Sequence, residues 1–144
     1  MVIPAIALER PEAGPRSASP ARGRAYCACT LFVALTALGA GVMDILHLQP
    51  LFGLLLHLGY PSYFATVLGV WKVLGAIVLL APRYPLVKEW AYAGMVIDYS
   101  SAAISHWASG DAATSLVGPI VSIAALMGSW YLRPRSRRLG PVPS

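Results

Sequence analysis

Long apolar runs alternate with short breaks rich in proline and glycine along the chain. Four runs stand out, at about residues 25–46, 63–80, 89–106 and 116–132. Each approaches the ~20 residues needed to cross a ~30 Å hydrocarbon core. A chain in that core must satisfy its own backbone hydrogen bonds, so each run is predicted to be a helix. Pro50 follows the first run, and Pro61-Ser62 precedes the second, with Ser62 placed to act as N-cap. Pro82 and Pro85 divide the second from the third, and Ser109-Gly110-Asp111 turns the chain into the fourth. Pro119 falls in the first turn of the fourth run, where a missing N–H matters least. Arg133-Pro134 closes that run. Residues 51–60 are apolar but too short to cross, which predicts a short helix at the membrane surface. The predicted fold is all-α: a polytopic membrane protein with a four-transmembrane-helix antiparallel bundle and a short interfacial helix between helices 1 and 2.

Spacing within the runs predicts how the helices pack. Thr30, Ala34, Ala37, Gly41 and Asp44 share one face of the first, and Ala65, Gly69, Lys72 and Ala76 one face of the second. The third aligns Ala91, Gly94, Asp98, Ser101 and Ser105, and the fourth Gly118, Ser122, Ala125 and Ser129. Small residues at such spacing let membrane helices approach closely. All four stripes are therefore expected to pack against one another, with the bulky aliphatics turned to lipid.

Three stripes also carry an ionisable group. A charge at the centre of a membrane helix costs ~2.5–3.5 kcal/mol and usually faces a partner inside the bundle. At ~1.5 Å per residue, Lys72 lies ~13 Å below the outer edge and Asp98 ~16–18 Å below it. These two are predicted to pair, the alternative being a protonated, hydrogen-bonded Asp98. Asp44 ends the first span and His106 the third, which predicts a second pair nearer the outer face, beside His47 and His57. The candidate intramembrane polar cluster is Lys72, Asp98, Ser101, Ser105, His106 and Asp44. The histidines lack a tight ligand spacing, so no metal site is assigned.

Composition supports the bilayer as solvent: 57% of residues are hydrophobic and 12% charged, about half the usual charged share. The net charge is +5, yet of the 11 Lys and Arg residues only Lys72 lies inside an apolar run. A basic face for nucleic acid is absent from this pattern, and no such partner is expected. Arg10, Arg16, Arg22 and Arg24 precede the first run, Arg83 and Lys88 lie between the second and third, and Arg133, Arg135, Arg137 and Arg138 follow the fourth. The other two loops carry none, which predicts both termini in the cytoplasm. Trp90, Tyr92, Trp107, Trp130 and Tyr131 fall where interfacial anchors belong. Residues 1–24 are predicted to be a disordered cytoplasmic tail rather than a signal peptide, and residues 133–144 a basic cytoplasmic tail. Cys27 and Cys29 have neither redox spacing nor the makings of a disulfide framework, and are expected to be small apolar residues of the first helix.

Residues 58–111 carry a specific set of landmarks: Gly59-Tyr60-Pro61, Gly69-Val70-Trp71-Lys72, Ala81-Pro82-Arg83, Lys88 to Gly94, Asp98, Ser105-His106 and Gly110-Asp111. In these the chain resembles the DoxX-like family of small membrane proteins, with a looser likeness from the first span to the C-terminus. The resemblance implies a four-helix membrane protein, expected in a bacterial plasma membrane. It carries over no catalytic residue, and the family pattern varies near Asp44. The wider DoxX group is named for a subunit of a thiosulfate:quinone oxidoreductase, but a shared fold does not transfer a reaction. No nucleophile–base pair, phosphate loop or cofactor motif is visible. The leading expectation is therefore a small accessory or structural membrane subunit, with the lipid bilayer as partner and a homo-oligomer or larger membrane complex as its setting. The alternatives are the membrane subunit of a quinone-linked (thiol or sulfur) oxidoreductase, with quinone the one cofactor considered, and a small-solute or proton carrier acting as an oligomer.

Overall fold

The computed structural model describes residues 19–134. Most of the expected N-terminal tail, and the C-terminal tail beyond Pro134, lie outside the described residues. Residues 20–24 are a correction to that tail, because they are helical: α1 spans Pro20–Ile45. Ser19 caps it by accepting from the Arg22 N–H at 3.4 Å, and Pro20 sits in the first turn, where its lost donor costs nothing. Then come α2 (Leu51–His57), α3 (Ser62–Leu80), α4 (Pro85–Ala108), a 3-10 turn (Ala113–Leu116) and α5 (Val117–Leu132). No strand occurs among the described residues. Ser62 is the first residue of α3 rather than its cap: Pro61 holds that place, and no side chain closes the end. α4 starts four residues before the expected 89, because Pro85 itself fits the first turn of a helix.

Among the described residues, three segments are long and apolar enough to cross a membrane: Pro20–Ile45, Ser62–Leu80 and Ala113–Leu132. α4 has 24 residues, length enough at ~1.5 Å each, but Lys88, Glu89 and Asp98 dilute its apolar character. Leu35, Ile77, Ile104 and Ile120 are exposed around the outside, the arrangement that lipid rather than water favours.

α1 is the central helix, packed on α3 and α5, while α4 packs on α5 and α3. All five residues of the α1 stripe are buried, as their small size and spacing predict. The α1–α3 crossing is closest at two glycines. A Cβ on Gly69 would stand 2.5 Å from the Gly41 carbonyl oxygen, and one on Gly41 would stand 2.8 Å from the Gly69 oxygen. Beside this seam, Val33, Ala37, Ala76, Leu79, Met95 and Leu126 form the apolar core.

The end of the bundle that carries the chain termini is sealed by polar contacts. Ser129 Oγ lies 2.8 Å from Tyr92 Oη and 2.7 Å from Thr30 Oγ1, joining α5, α4 and α1. Lys88 is buried, and its ammonium donates to the carbonyls of Val78 at 2.8 Å and Leu79 at 2.6 Å. It thereby satisfies oxygens that the end of α3 leaves unpaired. Arg133, expected to open the basic tail, is buried and pairs with Glu89, which also accepts from the Trp130 indole N–H at 2.9 Å. Two cations that look in the sequence like flanking topology signals are thus part of the packed structure.

Candidate functional site

The stripes of α4 and α5 do not close as those of α1 and α3 do. Gly94 and Ser101 on α4 are exposed, and a Cβ added at Gly94 would meet nothing within 4 Å. The expectation that all four small faces pack together is corrected here. The faces meet at Ser129 and Ala125 near the terminal end, but toward α2 they part around a cleft. Its volume is about 740 Å³. α3 and α4 form its sides, α2 lies across one end with Leu51, Leu54, Leu55 and Leu58, and the exposed Trp71 and Trp90 flank it.

The walls are mostly apolar, so the polar groups in them stand out. Asp44, Lys72, Asp98, Ser101 and His106 all line the cleft. Lys72 Nζ lies 3.0 Å from Asp44 Oδ2 and 3.9 Å from Asp98 Oδ2. The predicted Lys72–Asp98 pair is therefore present, as the looser of two contacts. Asp44, whose side chain is only 2% exposed, holds the ammonium more closely.

The second predicted pair, Asp44 with His106, is not formed. Side chains on a helix lean toward its N-terminus. α3 begins at the α2 end of the bundle, so Lys72 leans toward Asp44, which lies at that end of α1. Its four-carbon stem spans the gap. His106 instead bonds to the loop after α4: its Nδ1 lies 2.7 Å from Asp111 Oδ2. The other oxygen of the same carboxylate lies 2.8 Å from His57 Nε2. Asp111 thus joins the last residue of α2 to the last turn of α4. Ser105 is held separately, its hydroxyl 2.7 Å from that of Tyr60. His47 stays apart from this group, 3.0 Å from Thr66 Oγ1 and stacked on Phe52.

The hydrogen bonds from His106 and His57 hold the Asp111 carboxyl below the usual carboxylate range. A lowered value means stabilisation that is full above the ordinary carboxylate pKa and is lost as pH falls through the lowered one. Asp111 was not among the site residues read from the sequence. The usable signal was local: Gly110 adopts φ +73°, which ends α4 and folds the chain back so that the Asp111 N–H meets the His106 carbonyl at 3.1 Å. A Gly-Asp just past a helix-terminal histidine places a carboxylate beside that ring.

One carboxylate–ammonium pair, a second carboxylate and a row of hydroxyls can bind, orient and exchange protons with a polar head group. Among the described residues no group of three or more His, Cys, Asp or Glu side chains is placed to hold a metal ion.

No curated protein and no solved structure matches the chain significantly. The family model described as "DoxX-like family" matches residues 28–129, which takes in most of α1, the α2 cover, the cleft and most of α5. This integral membrane protein, with its lipid-exposed apolar helices, belongs to the DoxX-like family.

Proposed function

We propose that the protein is a four-span membrane subunit that binds a neutral, lipid-soluble molecule with an apolar body and a polar head in the cleft between α3 and α4. An isoprenoid quinone is the class that fits best. The observation that carries this is the placement of Lys72 and Asp98 in the wall of an otherwise apolar cavity. At about 740 Å³ the cleft falls within the ~300–1,000 Å³ of small-molecule sites, which are largely apolar with few polar groups. Trp71 and Trp90 offer flat faces for a ring, and Lys72 offers a donor to a carbonyl oxygen. In this reading the role is accessory: the cleft supplies binding and protons, and a partner supplies the electrons. α4 counts as the fourth crossing because its ionisable residues face the cleft or the sealed terminal end, leaving an apolar outer side. Both termini then share the cytoplasmic side, in line with the basic flanks.

The test is direct. The protein is purified in patches of its own lipid, and the extract is analysed for quinones by mass spectrometry. Decylubiquinone is then titrated while tryptophan emission is followed. Co-purified quinone and saturable quenching that weakens in Lys72→Met support the assignment. Lipid extracts without quinone, together with quenching that never saturates, remove it. A labelling reagent that reaches residues 109–110 and the N-terminus from the same side removes the fourth crossing.

A further inference from the structure

The charges in the cleft do not balance. Asp44 and Asp98 bring two carboxylates, and Lys72 brings one ammonium. Asp44 takes the ammonium at 3.0 Å, and Asp98 is left with the longer contact of 3.9 Å. Around Asp98 the groups that face it are Lys72 from α3, Asp44 from α1 and Tyr99 on its own helix. α5 and the 3-10 turn present only the hydroxyls of Ser122 and Ser115 to the cleft. Among the described residues that line the cleft, no second Lys or Arg is present to balance Asp98. Water in an open cleft can stabilise a net negative charge, but a neutral apolar ligand that displaces this water leaves the charge stranded.

We infer that binding of a neutral ligand in the cleft is coupled to the uptake of one proton by Asp98, delivered from the α2 end along the polar edge of α4. In this step a proton moves from water to the Asp98 carboxylate. The cluster goes from one net negative charge to neutral, and the new O–H faces the ligand as a donor. The α4 edge supplies the route. Ser101 lies one turn beyond Asp98, Ser105 with its Tyr60 partner follows, and His106, bonded to Asp111, ends the row. Asp98 and His106 are eight residues apart, ~12 Å along the helix. His106 lines the cleft and is bonded to a carboxylate outside the apolar part of α4, so it stands at the junction of the two environments. This inference rests on the cleft being a ligand site, and the test separates the two.

The first measurement needs no ligand. Dicyclohexylcarbodiimide reacts with protonated carboxyl groups in apolar surroundings, and the modified residue is identified by mass spectrometry of the intact chain in nanodiscs. Labelling of Asp98 is expected to rise as pH falls, and to slow in His106→Gln. The second is calorimetric titration with decylubiquinone in two buffers of different ionisation enthalpy. It is expected to give a proton stoichiometry near one for the wild type and near zero for Asp98→Asn. Above the Asp98 titration, wild-type affinity falls about tenfold per pH unit, and that of Asp98→Asn stays flat. Labelling of Asp98 that ignores pH overturns the proton site, whether or not the probe binds. pH-dependent labelling without probe binding removes the ligand reading and leaves the proton site standing. Binding that draws no proton in the wild type overturns the coupling. Asp98→Glu, which keeps a titrating carboxyl, covers the case in which Asp98→Asn does not fold.

Discussion

The α1–α3 seam and the α3–α4 cleft are built from the same kind of sequence. Each brings together stripes of small residues at helical spacing, and each involves a carboxylate. In the seam, Gly41 and Gly69 meet backbone to backbone, and a Cβ at Gly69 would stand 2.5 Å from a carbonyl oxygen. In the cleft, Gly94 belongs to an equally small stripe and meets nothing within 4 Å. The difference teaches that a small-residue face is a permission to approach, not an instruction. Whether it closes depends on what stands beside it. Next to Gly94, α4 sets Asp98 and Ser101, which gain from a polar or hydrated cavity, and Trp71 and Trp90 flank the opening. Next to Gly41 stand Ala37 and Ala34, which lose nothing on contact.

Removing the cation that both regions share should have the largest effect. Lys72→Met leaves Asp44, which is almost wholly buried, without its partner, and breaking such a pair costs about 3–5 kcal/mol. Asp44→Asn combined with Lys72→Met should recover much of that loss, because the deeply buried Asp44 position then carries no charge, and Asp98 faces the open cleft. Thermal unfolding in detergent compares the two, and equal losses would contradict the pairing. Next comes the seam itself. Gly69→Ala should cost about 1–3 kcal/mol, since its Cβ meets backbone that cannot step aside.

At the sealed terminal end, Ser129→Ala removes the oxygen shared by Tyr92 and Thr30; Thr30 keeps its bond to the Tyr26 carbonyl, and the Tyr92 hydroxyl left without this partner costs about 1–3 kcal/mol. A stability measurement that shows no change would mean water takes over those bonds. A smaller, local effect is expected at the α2 end of the cleft. Asp111→Asn weakens the join between His57 and His106, and hydrogen exchange in residues 51–57 should accelerate several-fold while α1 is unaffected. Acid should do the same to the wild type, but only as pH falls through the lowered Asp111 value. Gly94→Ala is the control with the smallest expected effect, within about 0.5 kcal/mol in either direction. A large loss at Gly94 would erase the distinction between seam and cleft.

Much of the architecture was legible without coordinates. Apolar run length and the prolines between runs located the helices to within a few residues, because a membrane interior permits little except helix for such a chain. The α1 stripe was legible for the same reason: its members are the residues that permit close approach, and all of them are buried. The candidates for a polar cluster were also readable, since ionisable residues inside apolar runs are few, but their pairings were not. Lys88 and Arg133 were not recognised as buried, because in a membrane sequence a flanking cation has the same appearance whether it faces water or caps a neighbouring helix. Asp111 was missed because its part depends on a loop turning back.

By itself, then, the sequence determined that this chain forms apolar helices, about where along the chain they lie, and which side chains are too polar to face lipid. Tertiary structure alone decided which partner each of those side chains meets and which of two similar stripes stays open. Spacing along one helix is set by local hydrogen bonds and reads directly from residue order. The rotation and tilt of one helix against another is a small difference among many weak contacts. Lys72 Nζ stands 3.0 Å from one carboxylate and 3.9 Å from the other, so a small shift decides which of them it favours.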